Sequence, residues 1–199
     1  MRNSLFPTQQ QTFDRMLRQL PAHAVVEILG NSGSGKSTLL HYAHHHLGGE
    51  LLQLYDFIDQ TRHYHPLALE EAFEQMVMSA FRSHSVVLID DLQILLQVCH
   101  TNTPRDGLLT LPLRKLGAYA TRTQKKLVVA TDHRCYRLSL IYPETETVRI
   151  NEFQAIDYGF LCYCYLDDAI AARLDYDKIY RFASNLNAYQ LRRACLELN

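Results

Sequence analysis

The chain has 199 residues, 47% of them hydrophobic, which is enough to bury the core of one domain and a small appendage. Twenty Lys and Arg side chains balance 21 Asp and Glu, and a formal charge of −1 excludes a net electrostatic attraction to nucleic acid or to an anionic membrane. There is no membrane segment and no apolar signal-peptide core, and the five scattered cysteines are typical of reduced thiols, so we expect a cytoplasmic protein.

Strands and helices alternate along the first part of the chain, and helices alone follow. Apolar spacing and chain-breaking residues predict, in order, a helix over 8–20, a strand over 24–29, a helix over 37–43, a strand over 50–55, a helix over 67–81, a strand over 85–89, a helix over 108–120, strands over 125–132 and 148–150, and helices over 154–166, 168–173, 176–184 and 187–198. We therefore predict two units, an α/β nucleotide-binding domain over 1–153 and a helical subdomain over 154–199.

Residues 30–37 are the most informative stretch of the sequence. They read Gly-Asn-Ser-Gly-Ser-Gly-Lys-Ser and match the phosphate-binding pattern G-x-x-x-x-G-K-[ST]. In such a loop the glycines let backbone N–H groups turn inward around a di- or triphosphate, the lysine reaches the β- and γ-phosphates, and the serine offers a hydroxyl to Mg²⁺. The residues expected to bind the nucleotide are Gly30, Asn31, Ser32, Gly33, Ser34, Gly35, Lys36, Ser37 and Thr38.

Two carboxylates follow the apolar run of residues 85–89. Such a run is typical of a strand buried on both faces of a parallel sheet, and ligands of these sheets bind at the carboxyl ends of the strands. We therefore expect Asp90 and Ser37 to hold Mg²⁺, directly or through water. Asp91 is expected to orient or deprotonate the attacking water, and a helix N-cap is a second role compatible with the first.

An α/β unit with these motifs and a helical tail resembles an AAA+ ATPase, a member of the P-loop NTPases, over nearly the whole chain. The resemblance is carried by residues 30–37, the carboxylate pair, residues 130–132 at a later strand end, and residues 185–195, which look like the family's lid helix. It implies a three-layer α/β fold with a parallel sheet and a C-terminal helical lid, with ATP and Mg²⁺ as cofactors. It also implies that one strand, near residues 127–131, separates the loop strand from the carboxylate strand.

The resemblance also implies roles for single residues. In the family a polar residue called sensor 1 contacts the γ-phosphate or the attacking water; Asp132 or Thr131 takes this place, and Thr131 is the easier donor. Arg192 or Arg193 acts as a sensor-2 charge, or both are solvated arginines. Tyr64 stands where threading members grip a polypeptide, or is an ordinary loop tyrosine. The chain ends before the family's last lid helix, so an incomplete lid within a longer protein is expected.

Three departures from typical members bear on hydrolysis. Asp91 replaces a longer glutamate, and Asp132 replaces an asparagine. The segment after sensor 1 has no clear arginine finger, and Arg134 and Arg137 are the nearest candidates. An arginine finger supplies about three to five orders of magnitude in turnover, so ATP binding is better supported than rapid hydrolysis.

Three functions are compatible with these features. The first is a ring-forming AAA+ ATPase, an oligomer that remodels or regulates a protein partner. The second is a replication-initiator or helicase-loader type acting on DNA, which the near-neutral charge does not favour. The third is a small-molecule kinase; it ranks last because Arg62 and Arg82 are the only arginines between residues 38 and 104.

Overall fold

The computed structural model describes residues 5–92, 94, 109–132 and 138–198. In chain order, the elements in these ranges are α1 (Pro7–Gln19), β1 (Val25–Leu29), α2 (Lys36–Leu47), β2 (Glu50–Leu52), α3 (Leu54–Thr61), α4 (Leu69–Ser83), β3 (Val86–Ile89), α5 (Thr110–Thr123), β4 (Lys126–Thr131), α6 (Leu138–Ile141), β5 (Glu146–Arg149), α7 (Ala155–Tyr165), α8 (Asp168–Ala171), α9 (Tyr176–Phe182) and α10 (Ala188–Leu198). None of these helices is long and apolar enough to cross a membrane.

The five strands form one parallel sheet in the order β2-β3-β4-β1-β5. β4 lies between β1 and β3, with Leu29 opposite Thr131 and Ile89 opposite Val129. The predicted separation of the loop strand and the carboxylate strand by one strand is therefore confirmed. Because all five strands run in the same direction, their carboxyl ends share one edge of the sheet.

Helices cover both faces of this sheet, which makes a three-layer α/β fold. Successive strand residues point to opposite faces, so Leu127 and Val129 pack under α4 and α5, whereas Val128 and Ala130 pack under α1 and α2. Burial on both faces explains why the strands read as continuous apolar runs. The sheet's two hydrophobic cores hold the strand ends, and with them the candidate site, in fixed positions.

The C-terminal helices pack mainly on one another. Tyr158 and Leu161 of α7 pack with Leu191 of α10 in one buried cluster. A second buried cluster joins Cys162 of α7 with Cys195 of α10. These clusters are distinct from the two cores of the sheet. The division of the chain at residues 153 and 154 stays a prediction.

One predicted element is wrong. The strand predicted over 50–55 ends at Leu52, and α3 begins at Leu54. The side chain of Asp56 accepts a hydrogen bond from the backbone N–H of Gln53 at 2.7 Å, and this N-terminal cap starts a helix within the apolar run. Tyr64 therefore follows α3 and not the second strand, and its half-buried ring packs against the core beneath α4.

Candidate functional site

The candidate site lies at the carboxyl edge of the sheet. The glycine-rich loop (residues 30–37) follows β1, Asp90 follows β3 and Asp132 follows β4. The backbone N–H of Gly30 donates to the carbonyl oxygen of Thr131 at 3.3 Å, which joins the start of the loop to the end of β4. The fold thus brings to one edge three stretches, each about 40 to 60 residues from the next in sequence.

The backbone of the loop has the shape of an anion cradle. Gly33 and Gly35 have φ angles of +79° and +82°, in the left-handed region that favours glycine. Left-handed glycines allow successive N–H groups to turn to one side, and α2 begins directly afterwards with Gly35 as its N-cap. The hydroxyl oxygen of Ser34 is buried and has no hydrogen-bond partner in the described part of the chain. A phosphate oxygen would satisfy such a group.

The other polar side chains of the loop, except Lys36, reach solvent. Asn31 and Ser32 are exposed at its tip, and Ser37 and Thr38 are exposed in the first turn of α2. A helix N-terminus carries a partial positive charge and free N–H groups, so this turn favours an anion.

Lys36 is buried although it carries a charge, with 7% of its surface exposed. Its Nζ donates to the carbonyl oxygens of Gly30 at 2.9 Å and Asn31 at 3.0 Å. The same Nζ lies 3.8 Å from Oδ2 of Asp132. A buried cation needs such partners, and they hold the ammonium group at the mouth of the loop. Lys36 and Asp132, predicted separately, therefore belong to one site.

The carboxylate pair has an unusual backbone. Asp90 is 2% exposed, and its Oδ1 accepts a hydrogen bond from the N–H of Asp91 at 2.8 Å. Asp91 has a φ of +56°, a left-handed conformation that is uncommon for a residue other than glycine. Such strain costs about 1 kcal/mol or more and is concentrated at functional sites. The turn places the two carboxylates differently, with Asp90 buried and Asp91 only half-buried.

The donor set suits a hard cation. The hydroxyl of Ser37 and the carboxylate of Asp90 offer oxygen ligands, which Mg²⁺ prefers over nitrogen or sulfur. Within the described ranges, no group of three or more His, Cys, Asp or Glu side chains could hold a metal ion by itself. A Mg²⁺ that arrives with phosphate groups needs only one or two protein ligands, so the residues present fit it.

The two sensor-1 candidates differ in their contacts. The hydroxyl of Thr131 donates to Oε1 of Glu27 at 2.7 Å, in the interior of the sheet, whereas Asp132 approaches Lys36. The structure therefore brings Asp132 to the loop and directs the hydroxyl hydrogen of Thr131 to Glu27. Sequence reasoning missed Glu27, a fully buried acid in the middle of β1. The signal was a charged residue inside an apolar strand.

A cavity of about 250 Å³ separates the loop from the C-terminal helices. Its lining includes Asn31 and Ser34 from the loop, Phe153 from the segment before α7, and Asn187 before α10. Asn187 is also close to the loop apex, since a Cβ added to Gly33 would lie 2.6 Å from its Nδ2. Asn187 accepts a hydrogen bond from the N–H of Gln190 at 3.0 Å and so caps α10. Sequence reasoning did not identify this contact.

The sensor-2 candidates are exposed on α10. The guanidinium of Arg192 lies 5.4 Å from the centre of the Tyr165 ring, and Nε of Arg193 donates to Glu197 at 3.0 Å. Their sensor-2 role stays a prediction. The arginine-finger candidates, Arg134 and Arg137, lie outside the described residues.

Comparisons with known proteins identify the fold. No protein-family model matches the chain, and no curated protein matches it. The structure of AMPPCP-bound DnaA from Aquifex aeolicus is similar, with a TM-score of 0.62 and 14% identity over 98% of this chain and 62% of that one. A crystal structure of a DNA replication initiation factor is also similar, with a TM-score of 0.57 and 14% identity over 96% of this chain and 65% of that one.

This chain spans less than two thirds of the length of either protein. At 14% identity the likeness shows the fold alone. It agrees with the strand order and with the position of the glycine-rich loop at the carboxyl edge of the sheet. The chain therefore has the α/β fold of DnaA.

Proposed function

We propose that the chain binds Mg·ATP in the glycine-rich loop and hydrolyses it slowly. The observation that carries the proposal is the geometry of that loop. Three features meet at the carboxyl edge of a parallel sheet: two left-handed glycines, the N-terminus of α2 and the buried ammonium group of Lys36. Each of these features stabilises a polyphosphate, and together they provide inward N–H groups and a positive charge. The AMPPCP bound by a protein of the same fold adds support.

The carboxylates fit the two steps of hydrolysis. Asp90 and Ser37 would hold Mg²⁺, which neutralises charge on the phosphates when it is bound. Asp91, half-buried and turned by its left-handed backbone, would accept a hydrogen bond from the attacking water. Asp132, 3.8 Å from the ammonium group of Lys36, would bring a negative charge close to the γ-phosphate and so disfavour charge development on it. We expect slow turnover for two reasons. Asp91 is shorter than the glutamate that would reach further toward the water, and Asp132 adds a negative charge.

We further propose that the protein acts as an assembly. Residues 154–199 would form a lid over the nucleotide, because their helices have their own buried clusters and the segment between α9 and α10 lines the cavity beside the loop. An arginine from a neighbouring subunit would supply the missing charge, so activity would need a ring of homologous subunits that remodels or regulates a protein partner. The scattered cysteines support a cytoplasmic location.

Titration with Mg·ATP tests the proposal. Lys36→Ala removes the charge that would contact the β- and γ-phosphates, and charge-assisted hydrogen bonds of this kind contribute about 1.5–3 kcal/mol each. We expect the dissociation constant to rise about 100-fold or more while the circular dichroism spectrum stays unchanged. Lys115→Ala on α5, where the ammonium group pairs with Glu74 on the surface, is the matched control and should bind as the parent does. Equal affinities of the Lys36 variant and the parent would overturn the proposal.

A second candidate is favoured by one comparison. The similarity in fold to a DNA replication initiation factor supports an initiator or helicase-loader type of protein that acts on DNA. The near-neutral charge of the chain does not provide the basic surface that DNA binding normally uses. Binding of duplex and single-stranded DNA at about 50 and 200 mM salt, with Mg·ATP present, separates the candidates. Affinity that falls steeply with salt would favour the DNA function, and no binding at either salt concentration would favour a protein partner.

A further inference from the structure

We propose that Gln9 is a positioning residue that keeps the glycine-rich loop in its binding shape. We also infer that the first turn of α1 connects this loop to the C-terminal helices. The inference rests on the proposed function, because the shape of the loop matters through the phosphates it would bind.

Gln9 lies directly behind the loop and is fully buried. Its Nε2 donates hydrogen bonds to the carbonyl oxygens of Ser34 and Gly35, both at 3.2 Å. Its Oε1 accepts from the backbone N–H of Phe6 at 3.2 Å, which caps the N-terminus of α1. Both the donor and the acceptor of this amide group are therefore hydrogen-bonded within the protein. The contact is close, since a Cβ added to Gly35 would lie 2.0 Å from Nε2.

These two carbonyl oxygens are the other side of the anion cradle. A peptide unit that points its N–H toward a phosphate points its carbonyl away from it, and a carbonyl turned into the protein interior needs a donor. Gln9 supplies that donor to the carbonyl oxygen of Ser34, and it adds a second donor to that of Gly35, which also accepts from the N–H of Leu39 at 3.0 Å. Without Gln9, the Ser34 carbonyl loses this bond, which favours the orientation of its peptide unit. Conformers that cannot bind phosphate then become more populated, and the apparent affinity falls in proportion.

The neighbouring residue of the same turn holds the C-terminal helices. Thr8 donates its backbone N–H to Oδ1 of Asp157 at 2.8 Å and its hydroxyl to Oδ2 at 2.5 Å. Asp157, in the first turn of α7, is fully buried and also accepts from the N–H of Gln154 at 2.8 Å. The carboxylate thus lies between the N-termini of α1 and α7, where both helix dipoles stabilise a negative charge.

The start of α1 therefore contacts both the loop and α7. Its Gln9 bonds to the loop, its Thr8 bonds to α7, and the ring of Phe6 packs edge-on against Phe153 and Phe160. A ligand that orders the loop would also order this turn, and the turn would order α7. Thr8 and Gln9 are adjacent residues of one helix. No other element is therefore needed to connect the order of the loop with that of α7.

The primary test removes the hydrogen-bond donor of Gln9 and keeps the size of its side chain. Gln9→Met has nearly the same volume and no donor, and Gln10→Met is the matched control because the side chain of Gln10 bonds to Asp14 on the surface of the same helix. We expect the dissociation constant of Mg·ATP to rise about tenfold in Gln9→Met and to stay within about twofold in the control. Gln9→Leu provides a second variant, which lacks both the donor and the acceptor for Phe6.

Amide hydrogen exchange in the nucleotide-free protein gives a readout that does not depend on binding. The N–H of Leu39 donates to the carbonyl oxygen of Gly35, and the N–H of Ser34 closes the loop on Asn31. Both amides should exchange at least about fivefold faster in Gln9→Met, while the buried Ala43 amide of α2 exchanges at the parent's rate. Unchanged exchange at Leu39 and Ser34 in both Gln9 variants would overturn the positioning role, and so would faster exchange with unchanged affinity.

The connection to α7 has its own measurement. In the parent, Mg·ATP should slow exchange of the Gln154 amide, which donates to Asp157, and this protection should be lost in Gln9→Met. No protection in the parent would overturn the connection. If the parent binds no nucleotide at all, the proposed function fails, and the exchange rates of the nucleotide-free variants still decide whether Gln9 positions the loop.

Discussion

The buried carboxyl group of Glu27 is predicted to stabilise the sheet next to the candidate site. It is fully buried in β1 and accepts three hydrogen bonds, from the Thr131 hydroxyl at 2.7 Å, the Leu138 N–H at 2.9 Å and the Thr147 hydroxyl at 3.0 Å. These donors come from the two neighbouring strands and from the start of α6. One side chain therefore fixes the end of β4, from which Asp132 projects.

The expected loss in the free energy of unfolding follows from the hydrogen-bond donors that no longer have an acceptor. In Glu27→Ala the two hydroxyls can rotate toward other acceptors, but the backbone N–H of Leu138 stays buried without a partner, which costs about 1–3 kcal/mol. The missing side chain also leaves a cavity, and the two effects give an expected loss of about 3–5 kcal/mol in the free energy of unfolding. Glu27→Gln keeps Oε1 as the acceptor for two donors and turns an NH₂ group toward Thr147, so we expect a loss of about 1 kcal/mol.

Urea unfolding followed by circular dichroism measures this difference. Glu146→Ala in β5 is the matched control, because the Glu146 side chain is about one-third exposed and pairs with His23 at 4.0 Å; its expected loss is below about 1 kcal/mol. The reasoning would be refuted if Glu27→Ala were within about 1 kcal/mol of the parent. It would also be refuted if Glu27→Gln were as unstable as Glu27→Ala, because the acceptor would then not be the cause.

Three further predictions concern the site and the C-terminal helices. Asp91→Asn should bind Mg·ATP within about twofold of the parent and lose phosphate release at every protein concentration, and unchanged turnover would remove Asp91 from the mechanism. Gly35→Ala should lose about 2 kcal/mol or more of stability, because a Cβ would strike a buried side chain at 2.0 Å; Gly48→Ala, also left-handed but with open space around it, should lose about 1 kcal/mol. Burial and a neighbouring thiol raise the pKa of Cys162 to about 12, so iodoacetamide at pH 8 should label exposed Cys164 and spare Cys162 until the protein unfolds.

The sequence predicted those parts of the site that are continuous in the chain. Residues 30–37 form the loop, and the pattern specifies both the left-handed glycines and the helix that follows. Asp90 was predictable for a related reason, since a strand buried on both faces is apolar until it ends. The strand order followed from the resemblance to a known family and not from the pattern itself.

Contacts between distant segments could not be predicted in this way. Gln9 and Asp157 are 148 residues apart, and the single turn of α1 that joins them to the loop is visible only in three dimensions. The helix at Leu54–Thr61 was missed for a local reason: the apolar run before it fits a strand or a helix equally well. The cap at Gln53, formed by Asp56 three residues later, was the available signal.

The central claim is that residues 30–37 hold the phosphates of a nucleotide. A crystal structure of the protein with Mg·AMPPCP tests it most directly. We expect phosphate oxygens within hydrogen-bond distance of the N–H groups of Gly33, Gly35 and Lys36. The Lys36 ammonium group should move from the carbonyl oxygens of Gly30 and Asn31 to the phosphates. Nucleotide bound at another place, or Lys36 unmoved with the loop empty at saturating nucleotide, would contradict the account.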